Sequence, residues 1–548
     1  MPWIILLIAG IIHAQSFSAS VIPAYLLSYI EIFTLAILFY YWLSSTSIKQ
    51  VLMRTFVFTI GHFCAGIYWL FISMNTYGNL APPLAAAAVF LLSAYLSIYP
   101  MLAAAIFRFF TPINRPSIFT VFLIAATWAL GEWLRATIFT GFPWLTIAYA
   151  HVDGFLASWA PILGAYGVAF MAALCAALLA LALYQRKNSS TQSEAPLKKA
   201  SIPVIVALLA ITIISSIGLH QLNWSHPTGT PISVRLVQGN INQHDKFNPA
   251  NMLNSLMSHF ELANLPPADT QHPPKVVIFP ETIIPGYQSN LAPELWEHIR
   301  HEAEKLNADF FIGTPYLAKN PSDGSPYVAN SILLINGQTD INRLYEQNGV
   351  PRYDKQHLVP FGEFIPYGFR WFVEAIGIPM GDFNRGEKRQ QNFIVDNHVF
   401  AANICYEDVF GEELLPALYP HKVKFGDTEN LNPGANILFN VSNLAWFGDS
   451  SALGQHLQMA RMRAQETARP MLRATNTGAT AHINANGDVV AILPYHSAGV
   501  LDVMVQGTEG LTLYSRLGNK GILIIIVGIL LMALRRKVFD KYLALEVR

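Results

Sequence analysis

The chain has 548 residues, of which 53% are hydrophobic and only 13% charged. A soluble domain carries roughly 25% charged residues, so the chain as a whole does not have the composition of one. Its 35 basic residues are matched by 35 acidic ones, which excludes a globally basic nucleic-acid binder.

The average hides a split. Residues 1–222 are strongly apolar, residues 223–517 have the composition of a globular domain, and residues 518–548 hold one more apolar run and a basic tail. A membrane helix needs about 20 mostly apolar residues. Runs of this kind lie at 21–43, 53–75, 84–108, 117–138, 162–184, 202–220 and 518–535. A shorter run, Trp3 to Ala14, comes first; no basic residue precedes it and no small-x-small cleavage site follows, so it reads as a short spanning segment rather than a signal peptide. The expectation is therefore seven membrane helices in residues 1–222 and one at the C-terminal end, about eight in all. Lys49, Arg54, Arg108, Arg115, Arg186, Lys187, Lys198 and Lys199 fall in alternate loops, and Arg535, Arg536, Lys537, Lys541 and Arg548 in the tail. The intervening short loops hold only Arg135, near a helix end. By the positive-inside rule this places both termini in the cytoplasm and the globular region on the far side of the membrane.

In the globular region, apolar runs read as buried strands at 233–237, 276–279, 310–313, 331–335, 399–404, 437–441 and 479–483. Segments 251–265, 293–306 and 453–469 carry apolar residues at helical spacing. Strands alternating with helices predict an α/β layered domain. The stretch 416–434 reads as a surface insertion. The stretch 361–380 is crowded with Phe364, Ile365, Tyr367, Phe369, Trp371, Phe372 and Ile376, a composition expected at a membrane interface.

Three motifs carry the chemistry. Phe279-Pro280-Glu281 ends an apolar run, which leaves a partly desolvated carboxylate suited to general-base work. Tyr353-Asp354-Lys355 leads into His357-Leu358-Val359-Pro360-Phe361-Gly362-Glu363. Asn403-Ile404-Cys405-Tyr406-Glu407 places a cysteine where an apolar run turns polar. The chain has three cysteines; Cys64 and Cys175 fall in predicted membrane helices, so Cys405 has no disulfide partner in its own domain. An ammonium such as that of Lys355 lowers a nearby thiol pKa and stabilises an oxyanion. Taken singly, each residue is as well read as a buried hydrophobe, a capping acid or a surface lysine. Together they describe an acyl-transferring thiol enzyme. No His or Cys cluster has metal-ligand spacing and no phosphate-binding glycine loop is present, so no metal or other cofactor is expected.

In these motifs the sequence resembles the carbon–nitrogen hydrolase (nitrilase) superfamily with its Glu-Lys-Cys triad and, within it, the apolipoprotein N-acyltransferase branch. Further matches are Gly141-Phe142-Pro143-Trp144, Val237-Gln238-Gly239-Asn240-Ile241, Gln458-Met459-Ala460-Arg461-Met462-Arg463-Ala464 and Arg473-Ala474-Thr475-Asn476. The resemblance implies an αββα nitrilase-like sandwich joined to a polytopic α-helical membrane domain, acting as a monomer. It implies a phospholipid acyl donor and a diacylglyceryl lipoprotein as acceptor. Glu281 would serve as base, Lys355 and the Tyr406 N–H as oxyanion donors and Cys405 as nucleophile. Glu363 and Glu407 would support them, and Phe247, Trp144, Trp446 and Phe361 would contact substrate. Two positions depart from the family pattern: Phe247 stands where Trp is frequent, and Leu444 where Asp is frequent.

Glu132 and Arg135, three apart on a predicted helix, form a candidate ion pair, functional or structural. A membrane-tethered amidase is the alternative enzyme reading, but a small soluble substrate requires neither the membrane helices nor the aromatic segment. A transporter would be expected to show repeats and midplane ionisable residues; no repeat is visible, and Glu31 and His62 are the clearest polar intrusions.

Overall fold

The computed structural model describes residues 2–18, 22–111, 116–189, 202–246, 248–319, 324–346, 349–371, 382–425 and 428–546. The chain divides into two compact units, one formed by Met1–Phe71, Ala81–Asn223 and Thr512–Arg548 and the other by Ile72–Leu80 and Trp224–Leu511.

The first unit is helical, with helices at Pro2–Ala14, Ala24–Leu43, Ile48–Gly66, Pro82–Phe110, Ile118–Thr137, Ala160–Ser189, Ile202–His220 and Lys520–Glu546. Each expected apolar run is thus helical. Among the described residues, five helices are long and apolar enough to cross a membrane, or six if Ile48–Gly66 and Trp69–Tyr77, bent by 50°, count as one span. The expected number of eight is not confirmed. Pro2–Ala14 has 13 residues, about 20 Å at ~1.5 Å per residue, short of a hydrocarbon core of about 30 Å. In Lys520–Glu546 the apolar stretch ends at Arg535, Arg536 and Lys537. Small residues bring the first helix close to its neighbour: a Cβ on Gly10 would lie 2.0 Å from the Phe58 carbonyl oxygen.

Two pairs of ionisable residues within this unit find partners inside it. Glu31 and His151, both fully buried, meet at 3.0 Å. Glu132 accepts the Ile147 N–H at 3.1 Å, and Arg135 Nη1 donates to the carbonyls of Phe142 at 2.5 Å and Trp144 at 2.6 Å. The Glu132–Arg135 contact itself is 3.9 Å. The two residues therefore clamp the loop after their helix, which is the structural role. Trp144, expected to contact substrate, is buried, its ring 4.9 Å from that of Trp69.

The second unit contains two six-stranded sheets. The first runs in the order Gly499–Val505, Ile232–Gln238, Val276–Ile278, Asp309–Lys319, Pro326–Ile335, Arg352–Asp354; the second runs Val489–Ile492, Ala481–Ile483, Met471–Thr475, Ile437–Ser442, His398–Ile404, Phe393–Val395. The central pairs are parallel and the edges antiparallel. One apolar core joins the sheets face to face, with Val234, Leu236 and Phe311 from the first against Phe400, Ile404, Phe439 and Leu472 from the second. Helices Pro249–Ala263 and Pro293–Leu306 cover the outer face of the first sheet through Phe260, Trp296 and Ile299. Helix Ser451–Thr467 lies behind the second sheet, where Arg473 of Met471–Thr475 donates to His456 Nδ1 at 2.7 Å. The layers are αββα. Strands covered on both sides bury every residue, which is why they read as unbroken apolar runs.

Sequence reading missed several strands. Met471–Thr475 carries Arg473 and Thr475, and Gly499–Val505 is half-exposed with Asp502 paired to Arg235 at 2.7 Å. The stretch 416–434 contains an antiparallel pair of strands, His421–Phe425 and Thr428–Asn432, separate from the two six-stranded sheets. Residues 372–380 of the aromatic segment, including Phe372 and Ile376, lie outside the described residues. The described part does not pack into the core: Tyr367 is 104% exposed, Trp371 68% and Phe369 46%.

Candidate active site

Three strand ends from the two sheets converge. Glu281 follows Val276–Ile278 in the first sheet, Lys355 follows Arg352–Asp354 at its edge, and Cys405 follows His398–Ile404 in the second sheet. The backbone is sharply turned at two of these ends: Cys405 has φ +53° and Thr282 φ +54°. Gly313 makes room for the second turn, since a Cβ there would lie 2.5 Å from the Thr282 nitrogen.

The Glu281 carboxylate accepts the Asn443 N–H at 3.0 Å and the Asn330 side-chain amide at 2.9 Å. The same amide group reaches Glu363 at 2.9 Å, so Asn330 bridges the two carboxylates. Lys355 Nζ lies 2.9 Å from Glu363 Oε1 and 3.6 Å from Glu281 Oε1. Burial opposes the ammonium charge, but Glu363, Glu281 and Cys405 outweigh it and hold the lysine above its ordinary pKa. The Lys355 main chain is pinned as well, its N–H donating to Asn330 O at 2.8 Å and its carbonyl accepting from Gly386 at 2.9 Å.

Cys405 is half-buried, and its thiol stands within the electrostatic reach of Glu281 and Lys355. Burial, and then the Glu281 charge, push the thiol pKa up, while Lys355 pulls it down. The resting group is therefore a thiol beside a carboxylate and an ammonium, and it needs the base to ionise. Its carbonyl accepts from His456 Nε2 at 3.1 Å and Asn440 Nδ2 at 3.2 Å. Because Arg473 donates to His456 Nδ1, His456 is the neutral Nε2–H tautomer. Arg473 in turn pairs with buried Asp408.

Glu407 ties the Cys405 turn to the lysine loop. Fully buried, it accepts the N–H groups of Ile404 at 2.6 Å, Gln356 at 2.7 Å and His357 at 3.1 Å, and the Tyr353 hydroxyl at 3.0 Å. Burial raises its pKa to about 7, against the pull of those N–H groups and Lys355. A carboxyl raised in the folded state contributes stability that is complete below the unfolded value near 4.5 and is lost as pH rises through 7. Glu407→Gln is expected to remove that titration, worth about 3 kcal/mol across this window, while setting its amide against N–H donors. Melting temperature followed between acid and neutral pH checks this: the wild-type decline attributable to Glu407 should flatten in the variant, from a lower starting point.

The other expected site residues are dispersed. Tyr406 is buried, its ring 5.2 Å from Phe410. Phe361 has φ +62° and stands 5.4 Å from Phe369, both partly exposed. Trp446 is 37% exposed and lies edge-on to Tyr77 at 6.0 Å. Phe247 lies outside the described residues. Sequence reading missed Asn330, Asn443, His456 and Lys246 as parts of the site. The signal for Asn330 was a polar residue inside an apolar strand, and Asn443 stood in a motif noted only for the change at Leu444. Among the described residues no group of three or more His, Cys, Asp or Glu is arranged to hold a metal ion.

A glutamate, a lysine and a cysteine gathered at the strand ends of an αββα sandwich define a carbon–nitrogen hydrolase-type domain, and residues 233–510 match the carbon-nitrogen hydrolase family model. Residues 10–178 match the model of the apolipoprotein N-acyltransferase N-terminal domain. An apolipoprotein N-acyltransferase of Bordetella bronchiseptica is 44% identical over 540 residues, covering 96% of this chain and 95% of the relative. Those of Ralstonia nicotianae and Nitrosomonas europaea are 39% and 36% identical, covering 89% and 92% of this chain and 86% and 92% of the relatives. The chain belongs to the apolipoprotein N-acyltransferase family, a family of membrane acyltransferases.

Proposed function

We propose that this protein moves a fatty acyl group from a phospholipid to the α-amine of the diacylglyceryl-modified N-terminal cysteine of a lipoprotein, by way of a thioester on Cys405. The observation that carries the mechanism is the gathering of Glu281, Lys355 and Cys405 at the converging strand ends, with Glu363 on the lysine. Glu281 takes the thiol proton and the thiolate attacks the phospholipid ester carbonyl. Lys355 and the N–H of Tyr406 stabilise the oxyanion. The tetrahedral intermediate collapses, the lysophospholipid leaves with the proton from Glu281, and the acyl group stays on sulfur. The acceptor amine gives its proton to Glu281 and attacks the thioester; the Cys405 thiolate leaves and regains that proton. Glu363 keeps Lys355 charged and placed throughout. This is ping-pong covalent catalysis.

The exposed aromatic residues Phe361, Tyr367, Phe369 and Trp371, on the loop that follows Lys355, suit substrates that arrive from a lipid surface. Trp446 and Phe247 are further candidates for substrate contact, and Trp144 belongs with them only if its burial against Trp69 is relieved. The loop charges favour a multi-pass inner-membrane protein with cytoplasmic termini and a periplasmic catalytic domain, acting as a monomer without a cofactor.

The test is to incubate the purified protein with phospholipid and a diacylglyceryl lipopeptide bearing a free α-amine. The expected product is the N-acyl lipopeptide together with lysophospholipid in equal amount. Free fatty acid without N-acylation, alongside cleavage of small amides, would identify a tethered amidase instead.

A further inference from the structure

Lys246 is a buried lysine that the triad chemistry does not use. It closes the short helical turn Gln243–Lys246, is 6% exposed, and donates from Nζ to the main-chain carbonyl of Glu281 at 2.8 Å. A network of asparagines fixes that turn. Asn476 accepts the Ile241 N–H at 2.9 Å and donates to Ile241 O at 2.8 Å and to Asn443 Oδ1 at 3.1 Å, while Asn443 Nδ2 donates to Gln243 Oε1 at 2.8 Å. The same Asn443 gives its N–H to the Glu281 carboxylate. Glu281 is thus gripped twice from one scaffold, at its main chain by Lys246 and at its carboxylate by Asn443. The Gly239-Asn240-Ile241, Ser442-Asn443 and Thr475-Asn476 segments, which the triad left without a role, meet here.

We propose that Lys246 is a positioning residue and the second cation of the acyl-transfer site, an inference that rests on the proposed reaction: it holds the Glu281 main chain and offsets the negative charge that Glu281 and Cys405 share. Ionised Glu281 and Glu363 carry two negative charges, and Lys355 and Lys246 two positive ones. When the thiol proton passes to Glu281, an S–H bond breaks and an O–H bond forms. The negative charge moves from oxygen to sulfur and the total stays at zero. Without Lys246 the centre carries one uncompensated negative charge in a buried site, so the Glu281–Cys405 pair loses its proton only at higher pH. The other groups facing Lys246 are Glu281, Cys405 and, from helix Pro249–Ala263, His259. Burial holds His259 down at about 4 and so neutral. Burial lowers Lys246 to about 8 against the pull of Glu281 and Cys405, so its charge is lost as pH rises through that value.

The experiment follows acyl-enzyme formation with mixed phospholipid micelles and no acceptor, across a wide pH range, for the wild type, Lys246→Met and Lys246→Arg. The wild-type rate is expected to fall above pH of about 8, and Lys246→Arg to keep its plateau beyond that point. Lys246→Met is expected to move the acid limb up by about one pH unit and to lower the rate near neutrality about tenfold. A merely structural role would scale the rate equally at every pH. Equal scaling, an unchanged Lys246→Met profile, or an alkaline limb shared by wild type and Lys246→Arg overturns the inference while leaving the reaction intact. No acyl-enzyme in the wild type at any pH overturns both.

Discussion

Cys405→Ala is expected to lower N-acylation by at least about 10⁴-fold and to abolish the acyl-enzyme. Intact-protein mass spectrometry after incubation with phospholipid should show one added fatty acyl group on the wild type and none on the variant. The size of the effect follows from the geometry. Cys405 is the only cysteine in the second unit, and it stands at a turn with φ +53° whose carbonyl is held by His456 and Asn440. No neighbouring group replaces the lost sulfur: Tyr406 turns to Phe410, and Cys64 belongs to the helical unit. The fold should lose only about 1 kcal/mol, because the deletion is one half-buried atom. A melting temperature near that of the wild type therefore separates loss of chemistry from loss of structure. An acyl adduct of the same mass on Cys405→Ala would refute the nucleophile assignment.

Lys355→Met is expected to slow formation of the acyl-enzyme by about 10³-fold or more. Loss of one oxyanion donor alone costs about 10²–10³-fold. Here the same ammonium also stands 2.9 Å from Glu363 and 3.6 Å from Glu281. Its removal leaves two carboxylates sharing one Asn330 amide, and like charges that close do not both stay ionised. Glu281 then competes for a proton with Glu363 and fails as a base at neutral pH. The rate that remains should recover partly with rising pH, and Lys355→Arg, which keeps the charge, should recover more. Single-turnover acylation measured against pH checks this. A loss confined to the deacylation step, with acylation unchanged, would show that Lys355 does not serve the first oxyanion.

The motifs around Glu281 and Cys405 were legible because each sits where a hydrophobic run stops, whereas Lys355 was legible only through the motif around it. A strand covered on both faces leaves a continuous apolar signal, and the first polar residue beyond it marks the sheet edge where chemistry is done. The same rule hid Met471–Thr475: Arg473 is fully buried in that strand, paired with Asp408 from the turn behind Cys405, and no local pattern announces a partner that distant. Gly499–Val505 escaped for the opposite reason, since it is an edge strand whose faces are only half covered.

The membrane segments followed a similar division. Hydropathy located the long helices of the first unit, because an apolar run of that length has few other stable fates. The number of spans did not follow: the 50° break between Ile48–Gly66 and Trp69–Tyr77 and the shortness of Pro2–Ala14 are geometric facts to which a composition average is blind.

What the sequence determined by itself was local and periodic: the two regions, the α/β layered class through its alternation of strands and helices, and the three residues with reactive side chains. What only the tertiary structure decided was mutual placement. Glu363 and Asn330 joined Glu281 and Lys355 in one charge cluster, Glu407 became a strut between two loops, and Lys246 and Asn443 closed on Glu281 from 35 and 162 residues away in the chain. Hydrophobic burial writes its signature at short sequence range, in the spacing of apolar residues. Charge compensation in a buried site is set by distances of a few ångströms between strands of two sheets, and those distances exist only once the sheets have packed.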